Sequence, residues 1–311
     1  MTQQFSVFFL LLLLPLSLLA QQQPTFKSGA KTVAVYATVT ESGGRLVPDL
    51  TKDDFEVKDN GTPQPISIFS SDVQPITVVI LLDRSGSMKT NFRLVEAAGE
   101  AFVRKLDPTD KARIGTFARR IQIDPPDFTS NQEELIGILR SDLQPDGPTP
   151  LWNAVDEGIT SLLNQQGRRV VLVFTDGGDN PGNFKLNNLS VLDVMVRAQK
   201  ENVMVYAVGL SGSDPSLAAG IGRGGGFGRM MSGPDPGLPT LAGDTGGGYF
   251  ELTRASDLTS AFARVADELH RQYAIGFDAP KLDGKTHKLE LKVKKPGMKV
   301  RARKEYVAAK E

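Results

Sequence analysis

The apolar run Ile76–Leu82 (ITVVILL) ends in Asp83-Arg84-Ser85-Gly86-Ser87-Met88, a carboxylate and two hydroxyls at alternate positions of one short loop. A continuous run of this kind, apolar on both parities, reads as a parallel strand buried on both faces, and a helical period follows it. The loop then lies at the carboxyl edge of a parallel sheet, where open α/β folds bind ligands. Closely spaced hard oxygens suit a hard divalent cation such as Mg2+, which takes oxygen ligands and tends to keep some water. Taken alone the spacing is weak, because Asp and Ser are also ordinary helix caps. Two further pieces strengthen it. A second buried run, Val170–Phe174, ends in Thr175-Asp176-Gly177, and Gly147-Pro148-Thr149-Pro150 offers a hydroxyl just ahead of a predicted helix. Asp83, Ser85, Ser87, Thr149 and Asp176 therefore gather two carboxylates and three hydroxyls, and no other constellation in the sequence competes.

Composition narrows the chemistry further. The 311 residues contain no Cys and two His, His270 and His287. That excludes disulfide frameworks, Cys-ligated zinc, iron–sulfur clusters, thiol catalysis and a multi-His metal centre. Lys+Arg and Asp+Glu number 36 each, which argues against charge-driven attraction of the whole protein to nucleic acid. A hydrophobic content of 40% is that of a globular chain.

The elements that must position these loops follow from periodicity. Between 75 and 272, strands at 76–82, 112–117, 121–123, 170–174, 203–208 and 249–252 alternate with helical segments at 88–106, after 130, 150–165, 188–201 and 256–271. The helix after 130 is predicted to open on a Ser130/Glu133 capping box. Such alternation predicts an α/β fold with a doubly wound, mostly parallel central sheet and helices on both faces. A Gly-rich loop is predicted over 212–237, densest at Gly220–Gly228. Flanking this unit, residues 33–72 and 273–307 are β in character. Asp59-Asn60-Gly61 predicts a hairpin joining 55–58 to 66–69, and Pro296-Gly297 a turn returning 288–293 along 300–303. Neither segment can bury an apolar face alone, so the two are expected to meet as a small all-β domain. Residues 5–20 are apolar but too short, at about 1.5 Å each, for a roughly 30 Å hydrocarbon core. Small Ala20 followed by QQQP predicts a signal peptide over 1–20 cleaved there, with an uncleaved N-terminal anchor as the alternative, a polar leader over 21–32 and an extracytoplasmic location.

The set Asp83-x-Ser85-x-Ser87, Thr149 and Asp176 resembles the metal-ion-dependent adhesion site of the von Willebrand factor A domain, and the order of elements over 76–272 is similar to that family throughout. Residues 33–70 and 273–306 further resemble an acidobacterial subgroup of secreted proteins related to it. The resemblance implies Mg2+, with Mn2+ or Ca2+ as alternatives. Ser85 and Ser87 would ligate it directly, Asp83 and Asp176 through water, and Thr149 when a partner is engaged. It implies a non-enzymatic, secreted protein-binding module whose metal accepts an Asp or Glu carboxylate from a partner protein. In A domains that switch affinity, the last helix, here 256–271, shifts when the site fills. A metal-stabilised structural subunit is the alternative, and a metallohydrolase a weaker one, since no His, Lys or free carboxylate stands in the motif loops as a base. Asp179 receives no ligand role.

The remaining motifs read more simply. Gly220-x-Gly222-x-x-Gly225 lacks the flanking strand and helix of a dinucleotide site. His270 and His287 read as surface residues and Trp152 as packing. Residues 281–304, rich in Lys and Arg against only Asp283 and Glu290, read as a solvated hairpin, or else as a basic patch for anionic envelope components.

Overall fold

The computed structural model describes residues 31–141, 147–182, 188–211 and 233–310. The predicted signal segment and the Gly220–Gly228 stretch lie outside them. Four strands come first: β1 (Thr32–Glu41), β2 (Phe55–Asp59), β3 (Thr62–Gln64) and β4 (Ile66–Ser70). The α/β unit follows, with strands β5 (Ile76–Asp83), β6 (Lys111–Phe117), β7 (Ile121–Thr129), β8 (Arg168–Thr175), β9 (Val203–Leu210) and β10 (Tyr249–Leu252). Its helices are α1 (Phe92–Val103), α2 (Gln132–Arg140), α3 (Leu151–Leu162), α4 (Val191–Lys200), α5 (Leu238–Thr245) and α6 (Leu258–His270). The chain closes with β11 (Tyr273–Asp278), β12 (Thr286–Val293), β13 (Met298–Arg301) and β14 (Glu305–Val307).

The central sheet runs β10-β9-β8-β5-β6-β7, parallel except for β7 at one edge. Every residue of β5 and β9 is buried. The two-residue period of a strand explains why both parities are apolar. Val78, Ile80 and Leu82 face α1, α2 and α6, whereas Val79 and Leu81 face α3, α4 and α5. Trp152 packs in the second of these layers. β7 runs past the predicted Ile123 to Thr129 through Pro125 and Pro126, which an edge strand tolerates because no neighbour needs their missing N–H. The guanidinium of Arg113 donates instead to the carbonyls of Ile123 and Pro125.

The flanking segments meet. β1 pairs with β11 and β13, β4 with β11, and β2 with β12, forming two four-stranded sheets around a shared core that includes Val35, Phe55, Val57, Ile275, Phe277 and Leu289. Two pairings differ from expectation in the same way. The Asn60-Gly61 turn is present, with φ of 47° and 81°, but it returns β2 along β3. Beyond Pro65 the chain crosses to the other sheet as β4. Likewise the Pro296-Gly297 turn sends β13 to β1, and β14 takes the place beside β12. Each short hairpin thus changes sheet, which lets two narrow sheets bury one core.

Three local expectations are corrected. α2 is capped by Asn131, whose side chain accepts from Glu134 N–H at 3.2 Å, rather than by Ser130 and Glu133. α5 is an additional helix, concealed by Gly243 within it and by Gly237 and Gly246 at its ends. His287 is buried, 2.8 Å from Asp59 Oδ1 and 3.2 Å from Asp283 Oδ1, with the Tyr306 hydroxyl donating to Asp59 at 3.1 Å. It belongs to the inward set with Leu289 and Leu291, one step earlier in the same alternation.

Gly247, between α5 and β10, allows the closest backbone approach: a Cβ there would lie 1.9 Å from the Val205 carbonyl oxygen. Because that neighbour is backbone and cannot rotate away, Gly247→Ala is expected to destabilise the fold by about 2–3 kcal/mol, measured as a lower urea midpoint. An unchanged midpoint would show that the connection yields freely. Among the described residues no helix is long and apolar enough to cross a membrane.

Candidate metal centre

β5 and β8 are parallel neighbours in register, Leu82 opposite Phe174, so their carboxyl ends finish level and bring Asp83 beside Thr175. Asp83 is fully buried. Its Oδ1 accepts the Ser85 N–H at 2.8 Å and its Oδ2 the Thr175 hydroxyl at 2.6 Å. The first bond folds the loop back on itself and begins the 3-10 turn Gly86–Asn91 that leads into α1. The Ser85 and Ser87 hydroxyl oxygens then stand 3.2 Å apart, and the Ser87 hydroxyl donates to Asp176 Oδ1 at 2.7 Å. Asp83, Ser85, Ser87 and Asp176 are thereby brought into one continuous cluster.

Thr149 arrives on a third loop. Its N–H donates to the Asn180 carbonyl at 2.7 Å and its carbonyl accepts the Asn180 N–H at 2.8 Å, which ties it to the loop carrying Asp176. The Gly86 N–H donates to the Gly147 carbonyl at 3.3 Å, joining the same loop to the first. Asp179 serves as a cap, its Oδ1 accepting the Trp152 N–H at 3.2 Å in the first turn of α3. Two supporting residues escaped the sequence reading. Thr175, adjacent to Asp176, locks Asp83, and Asp235 accepts the N–H groups of Asp179 (3.1 Å) and Gly237 (2.8 Å), linking the site loop to the start of α5. Thr175 was detectable as the last position of the buried run; Asp235 carried no local signal.

The electrostatics favour a cation. Burial pushes the Asp83 carboxyl up to about 6, against the hydrogen bonds from Ser85 and Thr175, and Asp176 raises it further by repulsion. Burial also raises Asp176, opposed by its bond from Ser87. No cationic side chain is among these influences. Two desolvated carboxylates among neutral hydroxyls make an all-oxygen donor set that fits a hard divalent ion and suits a soft one poorly.

One other group of potential ligands occurs among the described residues, Asp107, Asp110 and His270 at the opposite edge of the sheet. Both oxygens of Asp110, its buried member, are already engaged. Asp110 Oδ1 accepts the Ile76 N–H at 2.9 Å, and Oδ2 accepts the Asp107 N–H at 2.8 Å and lies 2.7 Å from His270 Nε2. His270 is thus a half-buried clamp, not the surface residue expected, because α6 ends against the β5 and β6 entry loops.

The family model of the von Willebrand factor type A domain matches residues 77–238. No curated protein matches the chain. Among solved structures it is similar to a von Willebrand factor type A protein from Catenulispora acidiphila, at 12% identity, covering 93% of this chain and 77% of that one, with a TM-score of 0.50. It is also similar to proximal thread matrix protein 1 from the mussel byssus, at 17% identity, covering 67% of this chain and 49% of that one, TM-score 0.46. A third is an aerotolerance-related membrane protein from Bacteroides fragilis, at 18% identity, with 62% and 99% coverage and a TM-score of 0.45. The chain spans about half the length of the mussel protein. At such identities the likeness is one of fold. The family match, by contrast, extends over more than half of the chain and takes in all three loops of the oxygen cluster, and by it this protein belongs to the von Willebrand factor type A domain family.

Proposed function

We propose that Asp83, Ser85, Ser87, Thr149 and Asp176 hold a Mg2+ ion at the sheet edge, and that the module uses it to bind a partner protein through an Asp or Glu carboxylate. The observation that carries this reading is the continuous oxygen cluster Asp83–Ser85–Ser87–Asp176, a buried and a half-buried carboxylate bridged by hydroxyls. Both Asp83 oxygens already accept protein hydrogen bonds, which favours its acting through water while the serine hydroxyls ligate directly. When bound, the ion supplies a Lewis-acidic position that neutral donors leave strongly electrophilic and that an external carboxylate can complete. The chain's own part is to fix those donors: β5 and β8 set the depth, and the Thr149–Asn180 bridge sets the rim. The apolar N-terminal run supports an extracytoplasmic setting for this activity.

The test is capture from an extracytoplasmic extract on the immobilised protein. A partner is expected to be retained in Mg2+, released by EDTA, and absent with Asp176→Ala. Equal retention in EDTA would overturn the proposal. Stabilisation by Mg2+ with no captured protein would favour the metal-stabilised structural subunit instead.

A further inference from the structure

We propose a second ligand site at the opposite edge of the central sheet, where it meets the β sandwich, which takes a small polar molecule bearing a phosphate, sulfate or carboxylate group. A cavity of about 350 Å3 lies there, lined by Lys31, Tyr36, Arg169, Lys200, Asn202 and Arg303 among others. Behind it a void of about 10 Å3, room for about one water, is lined by Arg168, Arg169 and Arg303 together. Arg168 and Arg169 open β8, whereas Asp176 follows its far end, so at about 3.3 Å per residue the two sites stand roughly 25 Å apart.

What points to an anion is the pairing of these guanidinium groups. Arg303 donates to Asn202 Oδ1 at 2.8 Å and to the Ala34 carbonyl at 2.6 Å. Arg169 donates to the carbonyls of Leu163 and Glu201, and Arg168 to the Gln272 amide oxygen. Every acceptor is neutral. The Nε atoms of Arg168 and Arg303 are shielded from solvent and have no hydrogen-bond partner. Aromatic faces complete the surroundings, with Arg168 5.2 Å from the Tyr36 ring and Arg303 5.9 Å from that of Tyr306.

Buried charge is ordinarily paired, yet none of these arginines, Arg168 buried and Arg169 and Arg303 half-buried, is hydrogen-bonded to a carboxylate among the described residues; Asp110 and Glu201 attract Arg168 and Arg169 only through space. Burial lowers all three, Arg303 to about 10. Elsewhere in this protein arginines do have carboxylates: Arg84 with Glu96, Arg197 with Asp156, Arg301 with Glu268. Of the residues lining the larger cavity only Glu201 is acidic, and it attracts Arg169 through space, its carbonyl rather than its carboxylate taking the hydrogen bond. A planar fork of guanidinium donors matches an oxyanion, and the lysines at the mouth add attraction. The cavity volume is at the small end of the range for ligand pockets, which suits a sugar-sized molecule.

The experiment is calorimetric titration of the full chain with glucose 6-phosphate, glucuronate and uncharged glucose, in EDTA and at fixed ionic strength. Saturable binding of one or both charged probes is expected, with none by glucose. Arg303→Gln and Lys200→Gln are each expected to weaken it about tenfold; Lys200 is exposed, so that variant keeps the test intact if Arg303→Gln fails to fold. Absence of binding by both charged probes, equal binding by glucose, or unchanged affinity in Lys200→Gln or in a folded Arg303→Gln would overturn the proposal. Because EDTA is present throughout, failure here leaves the metal-dependent reading of the other edge untouched, and the reverse holds too.

Discussion

In millimolar Mg2+ the protein is expected to melt roughly 5–10 °C higher than in EDTA, and Asp83→Asn is expected to abolish that difference while leaving the EDTA melting point as high or higher. The first part follows from linkage. A ligand at about one hundred times its dissociation constant stabilises the folded state by about 2.7 kcal/mol, and in a chain of this size each kcal/mol moves Tm by about 2–4 °C. The second part follows from the local bonds. Asn keeps an oxygen for the Ser85 N–H, while its amide can donate to the Thr175 hydroxyl, which turns its own hydrogen to the Gly177 carbonyl 3.1 Å away. No buried group loses a partner, and repulsion with Asp176 is relieved. Affinity for the ion should nevertheless fall by 100-fold or more, about 3 kcal/mol, because one of two carboxylates is gone. Thermal scans of both proteins in Mg2+ and EDTA decide it. An undiminished Mg2+ shift in Asp83→Asn would place the ion elsewhere, and His270→Gln, which alters the only other potential ligand cluster among the described residues, should leave the shift intact.

The legibility of this site in the sequence has a physical source. Val78–Leu82 and Val170–Phe174 are apolar without a break because helices cover both faces of the sheet, so the first polar residues after each run had to lie at its edge. That argument reaches Asp83, Ser85, Ser87 and Asp176 with no knowledge of tertiary contacts. Thr149 was harder. Its place depends on the bridge to Asn180, a contact between loops that no local pattern encodes.

The same contrast separates the α/β unit from the sandwich. Strand positions at 55–58 and 66–69 were readable from the turn between them, and those at 288–293 from alternation, yet their partners were not. A hairpin turn specifies the strand it joins, but Pro65 and the Pro296-Gly297 turn move the chain between sheets, and only the shared core makes that favourable. Buried polar residues were the least visible. His287 shares a strand face with Leu289 and Leu291, but polarity alone assigned it to the surface. Its burial is tolerable because Asp59, Asp283 and Tyr306, two of them distant in sequence or on another strand, supply its partners. Part of the basic run 281–304 is likewise spent internally, since Arg301 pairs with Glu268 of α6 and Lys304 with Asp244 of α5.

Asp110→Ala is expected to be among the most damaging single changes in the fold, costing about 3–5 kcal/mol, although it lies at the opposite edge of the sheet from the oxygen cluster. Its carboxylate is fully buried and joins three elements at once: the first residue of β5, the turn at Asp107 and the last residue of α6. Alanine leaves the buried Ile76 N–H, the half-buried Asp107 N–H and the His270 ring without their acceptor, and each orphaned donor shielded from water costs about 1–3 kcal/mol. Asp110→Asn retains one carbonyl oxygen but presents an amide where a second acceptor was, so an intermediate loss of about 1–3 kcal/mol is expected. His270→Ala should cost least, because the ring is partly open to solvent and Asp110 keeps both backbone donors. The order Ala, Asn, then His270→Ala in urea midpoints is the signature of a carboxylate acting mainly on backbone; a His270→Ala loss as large as that of Asp110→Ala would make the ion pair the dominant contribution. The consequence extends along β5. Asp110 holds the strand's entry and Asp83 its exit, and the C-terminal end of α6 is fastened to the former. Any displacement of α6 as the metal site fills must therefore either carry or break the Asp110–His270 contact, so the response of α6 hydrogen exchange to Mg2+ and partner should be larger in His270→Ala than in the parent protein.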